Sequence, residues 1–271
     1  FICLMDDELA IELGAQIHGA IGDVYIHADG YKKSISSPGI GNYVSFAKAA
    51  SFVQTLLGKK SLAEKSFVQA HGTGTPQNRV TESHIFNETA KVFDIPAWKV
   101  AAIKCYVGHS LGAAGGDQMM ASLGVWKHGL IPGIFTLDAI ADDVHHSNLD
   151  LKQAHHEVGV TGMDSVLLNS KGFGGNNATA VILAPHVAEA MLTKKHGAAK
   201  FTQFKKNQEQ TVSRANSYEQ TAILGDLTPI YEFGHNVVEG EQLALSAKEI
   251  RIPGFEQAVS LAVENPYSEF C

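Results

Sequence analysis

The chain has 271 residues, 45% of them apolar, which is material for one substantial core and far from a disordered composition. Its 21 basic residues face 28 acidic ones, a formal charge of −7, which argues against a general nucleic-acid binder, whose surface must neutralise phosphate. Cys3, Cys105 and Cys271 form no C-x-x-C pair, which disfavours a disulfide scaffold or zinc site and points to the cytoplasm; no apolar run approaches the ~20 residues that cross a bilayer, so no membrane partner is expected.

At the N-terminus, "FICLMDD" (1–7) and "AQIHGAIGDVYIHAD" (15–29) carry apolar and β-branched residues at partly alternating positions, punctuated by Gly14 and acids, so two adjacent extended segments are predicted. The start lacks the pattern of a signal peptide and opens on Phe rather than Met, which is read as a start inside a larger polypeptide. Between Gly41 and Leu57, the residues Val44, Ala47, Phe52, Val53, Leu56 and Leu57 recur at helical spacing and Gly58 supplies a stop, predicting a long amphipathic helix. A short buried strand at 66–71, a helix at 80–93, a strand at 99–107 and a helix rich in small residues at 109–127 follow. Strands at 164–171 and 178–184 close the series. This alternation predicts an α/β layered core, a mixed sheet with helices on its faces that ends in an antiparallel strand pair. After Pro185 the character changes: 200–220 is polar with few apolar anchors, and only "PIYEFG" and "KEIRIPG" look like short strands. The expected division is a core at 1–185 and an appended segment at 186–271, packed on the core or on a partner subunit.

The stretch "KCYVGHSLGAAGG" (104–116) admits two chemistries. Gly108-His109-Ser110-Leu111-Gly112 fits the G-x-S-x-G elbow of serine hydrolases, with Ser110 as nucleophile and "HGTGT" (71–75) imitating an oxyanion loop. The spacing works against this, since only 35 residues separate Thr75 from Ser110, which is tight for the strands and helices that lie between loop and elbow in such enzymes.

The other reading uses more of the chain. "AHGTGTPQN" followed by Glu82, then "KCYVGHSLGAAGG", then "KGFGGNNA" (171–178) resemble, in that order, the C-terminal half of the β-ketoacyl-[acyl carrier protein] synthases, condensing enzymes of the thiolase-like superfamily. The resemblance covers about residues 1–185. Thiolases share the glycine pattern around His109 but usually lack the His-Gly-Thr-Gly-Thr loop, and the two histidines look like the Cys-His-His class. The resemblance implies a thiolase-like layered fold and decarboxylative Claisen condensation of malonyl thioester with an acyl primer in fatty-acid or polyketide synthesis. It implies acyl carrier protein as partner, a homodimer in the complete protein, and no cofactor beyond the phosphopantetheine or coenzyme A that carries the substrates. His71 and His109 are then catalytic, Lys104 and Glu82 form a supporting buried pair, and Thr73 and Thr75 meet the pantetheine amides. Phe173, between Gly172 and Gly174, offers its amide to an oxyanion hole and its ring as a gate. The family's cysteine nucleophile belongs to its N-terminal half and nothing here replaces it, and Arg79 stands where the family usually has an acid after Asn78. A non-catalytic partner, like the chain-length factors that keep the fold and lack the nucleophile, is the competing reading.

The residue chemistry agrees with the resemblance. An enolate left by loss of carbon dioxide needs fixed donors in a water-poor site, and neutral imidazoles supply them. A position at a helix N-terminus disfavours a proton on His109, while Gly72 and Gly74 allow a tight turn after the strand that ends in His71. Lys104 lies in an apolar run and needs a buried partner. The pairs His145-His146 and His155-His156 read as polar surface loop rather than metal ligands, because neighbours point in different directions. Lys194-Lys195-His196 reads as a solvated helix end.

Overall fold

The computed structural model describes residues 1–31 and 39–270; Cys271 lies outside them. Helix α1 (Asp7–Glu12) leads into strand β1 (Ala20–Ala28), helix α2 (Ile40–Leu57), α3 (Lys59–Glu64), strand β2 (Ser66–Gln69) and helix α4 (Pro76–Val92). Strand β3 (Trp98–Ala101), the one-turn α5 (Lys104–Val107) and helix α6 (Ala114–His128) come next. The short strands β4 (Leu130–Ile131), β5 (Leu149–Asp150) and β6 (His156–Glu157) precede the hairpin of β7 (Ser165–Gly172) and β8 (Asn176–Leu183), and helices α7 (Pro185–His196) and α8 (Ala198–Ile223) follow.

Six strands form one mixed sheet in the order β1-β8-β7-β2-β3-β5. The centre is parallel, with β2 between β7 and β3, and the β7-β8 and β8-β1 pairings are antiparallel. Strand β2 is buried at all four positions, its polar ends Ser66 and Gln69 included, as a central strand covered on both faces should be. Consecutive residues divide between two cores: Val68, Leu167 and Val181 join Phe46 and Phe86 of α2 and α4, while Phe67, Val166 and Ile182 join Val125 and Trp126 of α6. The period-2 alternation of the strands thus produces helices on both faces.

Three expectations are corrected by the backbone. Residues 1–6 form no strand, because Asp6 caps a helix by accepting the Leu9 N–H at 2.8 Å, with Asp7 and Glu8 in its first turn. The strand expected at 99–107 ends at Ala101 and the chain turns into α5, closed by Gly108 at φ 72°. The helix expected from 109 begins at Ala114 after a single 3₁₀ turn, Leu111–Ala113. Helix α2 lies where its spacing predicted, but its inner face is Phe46, Ala49, Ala50 and Val53 with the small polar Asn42 and Ser45, while Val44 and Leu56 are exposed.

The chain divides into two compact units, Phe1–Arg214 and Ala215–Cys271, so the division falls within α8. In the first, α7 and α8 hold the N-terminal segment. Lys195 and His196 both reach the Asp7 carboxylate at 2.6 Å and hold its pKa down to about 2, so neither is a merely solvated helix end. Gln208 donates to the Ala15 carbonyl at 2.9 Å, and Phe204 is buried. In the second unit, β9 (Ala244–Leu245), β10 (Glu249–Arg251) and β11 (Val259–Ser260) form an antiparallel three-stranded sheet. No strand forms at "PIYEFG", where Ile230, Tyr231 and Phe233 are exposed.

Of the histidine pairs, His156 is buried against Asp150 at 3.4 Å rather than in a polar surface loop, while the exposed His155 accepts the Gly133 N–H at 3.0 Å. No helix among the described residues is long and apolar enough to cross a membrane. Because Phe204 is the fully buried anchor of α8, Phe204→Ala is expected to lower stability by ~3–5 kcal/mol in urea unfolding.

Candidate active site

The site is built where β2 ends. Ala70 keeps a sheet-like bond, its N–H on the Ala101 carbonyl at 2.8 Å, and the chain then leaves the sheet through His71. Gly72 (φ 56°) and Gly74 (φ 70°) turn it in the left-handed region, and a Cβ on Gly72 would stand 2.9 Å from the Ala102 methyl. The turn delivers Pro76 to the first position of α4 and swings Glu82 back beneath the loop. The buried Glu82 carboxylate accepts four donors: His71 N–H at 2.7 Å, Gly72 N–H at 2.9 Å, Asn78 Nδ2 at 3.0 Å and Asn169 Nδ2 at 2.8 Å.

The His71 ring is buried and its Nδ1 faces two groups that only donate, the Lys171 main-chain N–H at 3.3 Å and the Lys104 ammonium at 3.3 Å. Nδ1 is therefore the acceptor and the proton resides on Nε2. Burial, reinforced by Lys104, His109 and Lys171 and opposed by Glu82, lowers the His71 pKa to about 4, so the ring is neutral near neutral pH. His109 stands edge-on to it, with ring centroids 5.3 Å apart and planes at 81°. Its Nδ1 accepts the Leu111 N–H at 3.0 Å, which again leaves Nε2 as the donor. Leu111 pays for this loop with φ 55°, a left-handed conformation that β-carbon-bearing residues rarely adopt. Two neighbouring imidazoles thus each carry an Nε2–H.

Lys104 donates to the His71 carbonyl and is buried; desolvation lowers its pKa, with Glu82 and Asp117 opposing. Its expected contact with Glu82 is not made. Glu82 acts on the ammonium through the field, with the His71 backbone between them, because its oxygens are already taken by N–H groups. The hydroxyls of Thr73 and Thr75 lie 3.4 Å apart on the loop. Phe173 is 89% exposed in a turn made by Gly174 (φ 78°) and Gly175 (φ 85°). Gly172 is extended at φ −116°, so the second special glycine is Gly175, whose Cβ would stand 2.9 Å from that of Asp29. Arg79 makes a bidentate pair with Asp143 at 2.9 and 3.0 Å, which gives the unexpected cation its own partner.

Ser110 follows helix α5 rather than a strand, so no nucleophile elbow is present. Its hydroxyl donates to the Asp117 carboxylate and not to an imidazole. Cys105 is half-buried, and burial raises its thiol pKa, disfavouring thiolate.

Beneath the loop lies a polar layer that motif reading did not single out. Asn169 joins Glu82 to Asn42 (2.8 Å) and Thr179 (3.1 Å), and Gln118 donates to the Ala70 and Asn169 carbonyls at 2.8 and 2.9 Å. The available signal was a polar residue inside an apolar run, as in "SVLLNSK".

Residues 18–138 match the family described as "Beta-ketoacyl synthase, C-terminal domain". Over those residues the chain is similar to a β-ketoacyl synthase C-terminal domain. Over 274 aligned residues it is 46% identical to beta-ketoacyl-[acyl-carrier-protein] synthase FabY of Pseudomonas aeruginosa, covering 99% of this chain and 42% of that protein. The crystal structure of that ketosynthase superposes with a TM-score of 0.87 over 98% of this chain and 42% of its own. 3-Oxoacyl-[acyl-carrier-protein] synthase 1 of Escherichia coli K12 is 33% identical over 116 residues, 43% of this chain and 27% of that protein. A ketosynthase from module 6 of the bacillaene synthase of Bacillus subtilis, 21% identical, shares the fold with a TM-score of 0.56 over 66% of this chain and 34% of its own. The thiolase-like α/β architecture is that of these ketosynthases. The chain spans about two fifths of the length of the Pseudomonas relative.

Two outcomes are expected for the site. Glu82→Gln puts an amide donor among N–H donors and should cost ~2 kcal/mol in urea unfolding. Ser110→Ala should keep most turnover of the complete polypeptide; loss of turnover, with fluorophosphonate labelling of Ser110 in the unsubstituted protein, would return the hydrolase reading.

Proposed function

We propose that the chain is the C-terminal part of a β-ketoacyl-[acyl carrier protein] synthase that condenses malonyl thioester with an acyl primer, with loss of carbon dioxide, in fatty-acid synthesis. The observation that carries this is the His71–His109 pair, two imidazoles at 5.3 Å whose Nδ1 atoms are both engaged as acceptors. As the carbon dioxide leaves, the electron pair of the breaking carbon–carbon bond moves into the thioester and negative charge grows on its oxygen. Two preorganised Nε2–H donors fit that charge and hold it without reorganising. The resulting carbon nucleophile attacks the primer thioester carbonyl, and the thiolate that carried the primer leaves.

The thiol that carries the primer is, on this reading, a cysteine in a preceding N-terminal half. The Phe173 amide would join the oxyanion hole of the acyl step and its exposed ring would gate the acyl pocket. Thr73 and Thr75 suit the amides of the pantetheine arm. Lys104 and Glu82 hold the His71 loop. The partners are acyl carrier protein, malonyl and acyl thioesters and a second copy of the complete chain. The chemistry uses no resident cofactor or metal, since the substrates arrive on phosphopantetheine or coenzyme A.

The test follows acyl transfer by intact mass and carbon dioxide release separately in the complete polypeptide. His71→Ala and His109→Ala are each expected to suppress decarboxylation by ~100- to 1,000-fold while acyl transfer persists, because the donors act on the developing enolate. Residues 1–271 alone are expected to form no acyl-enzyme. Near-normal decarboxylation in both variants, or acylation of the isolated chain, overturns the proposal.

A further inference from the structure

Strand β7 brings into the site a cation that the proposed chemistry leaves unused. Lys171 lies near the end of β7, two residues before Phe173, and is linked to His71 by one direct and one indirect route. Its main-chain N–H donates to His71 Nδ1 at 3.3 Å. Its ammonium donates to Asn78 Oδ1 at 3.2 Å, Asn78 donates to Glu82 Oε2 at 3.0 Å, and Glu82 holds the N–H groups of His71 and Gly72. The position of Lys171 is itself fixed by hairpin pairing: it lies opposite Asn177, whose Nδ2 holds the Gly175 carbonyl at 2.9 Å and Asp29 Oδ1 at 2.8 Å. One residue is therefore tied both to the catalytic ring and to the base of the Phe173 turn.

We infer that Lys171 is a positioning residue: it seats His71 with Nδ1 as acceptor and Nε2–H free for substrate, and it ties that seat to the hairpin carrying Phe173. The inference rests on the reading of His71 as a donor to the developing enolate oxygen. A neutral imidazole has two tautomers, and the bond made by one nitrogen selects the proton position on the other. Lys104 also faces Nδ1, but through a flexible four-carbon stem, whereas the Lys171 N–H is set by the strand. The wrong tautomer would place an N–H against two donors.

The ammonium adds an electrostatic part. The charged and titratable groups acting on His71 are Glu82 from α4, Lys104 from α5, His109 from the loop before α6 and Lys171 from β7. Glu82 favours the imidazolium and the other three oppose it. Removing the Lys171 charge therefore raises the pH at which His71 takes up a second proton. That proton lands on Nδ1, turns the acceptor into a donor and breaks the seat, so the acid limb of decarboxylation moves upward.

The experiment measures malonyl decarboxylation against pH, and acyl transfer separately, in the complete polypeptide carrying Lys171→Met or Lys171→Arg. Lys171→Met is expected to lower decarboxylation near neutral pH about 10-fold, less than the ~100-fold that a 1 Å misplacement can cost. It is also expected to move the acid limb up by ~0.5 unit with acyl transfer retained. Lys171→Arg, which keeps the charge, is expected to restore the limb. An unmoved limb in the Met variant, or an Arg variant indistinguishable from it, overturns the inference. If Lys171→Met loses acyl transfer as well, Lys171→Gln, which keeps a donor for Asn78 and drops the charge, carries the same test, and an unmoved limb there overturns it. His71→Ala in parallel separates the two levels. If it fails to suppress decarboxylation, the reading of the histidines falls; if it suppresses decarboxylation and Lys171→Met behaves as unsubstituted protein, only the role of Lys171 falls.

Discussion

Everything around the site depends on one carboxylate, Glu82, that is buried with no cation in contact among the described residues. Moving a charge out of water is costly unless hydrogen bonds replace the lost solvent, and Glu82 receives four N–H donors from three segments of the chain. Two of those donors are the backbone N–H groups of His71 and Gly72, so satisfying the charge and shaping the His71 loop are one event. Its partner Asn169 continues the connection into the hairpin and, through Asn42, into α2. The loop is held because releasing it would strand the charge.

The same logic explains a polar layer in an otherwise apolar interior. Asn42, Ser45, Asn169 and Thr179 bond to one another between α2 and the sheet, and Gln118 reaches in from α6 on the opposite face to the carbonyls of Ala70 and Asn169. Apolar contacts tolerate sliding, whereas a network of this kind has one satisfied arrangement and penalises others. Both helical layers therefore grip the strand ends from which His71 and the Phe173 turn emerge.

The two histidines are held in different ways. His71 is buried and seated from behind by Lys104 and Lys171, and the cost of desolvation keeps its ring neutral. His109 is exposed and rides on a loop whose shape is imposed by the left-handed Leu111. Phe173 is more exposed still, on a turn whose glycines leave its backbone free to reorient. A buried imidazole thus stands beside an exposed one.

The chemistry-bearing motifs were legible because they are local: glycines beside His71 and His109 show in the residue types where the backbone must turn, and the alternation of apolar strands with helices carried the layered architecture. Period alone was weaker where a short-range bond competed with it. Asp6 capping the Leu9 N–H turned an apparent strand into α1, and Gly108 closed a helical turn inside an apparent strand. Which face of α2 turns inward was decided by packing, since Phe46 meets Phe86 and Trp98, residues that spacing within the helix does not reveal. The partners of Glu82, the seat of Lys104 and the double hold of Lys171 on His71 join residues up to 100 positions apart. Such bonds follow from the order in which strands lie side by side, because hydrogen bonds act over about 3 Å. The sequence by itself determined which residue types were present at the turns; only the tertiary structure, by bringing β2, β7 and α4 together, decided which atoms they hold.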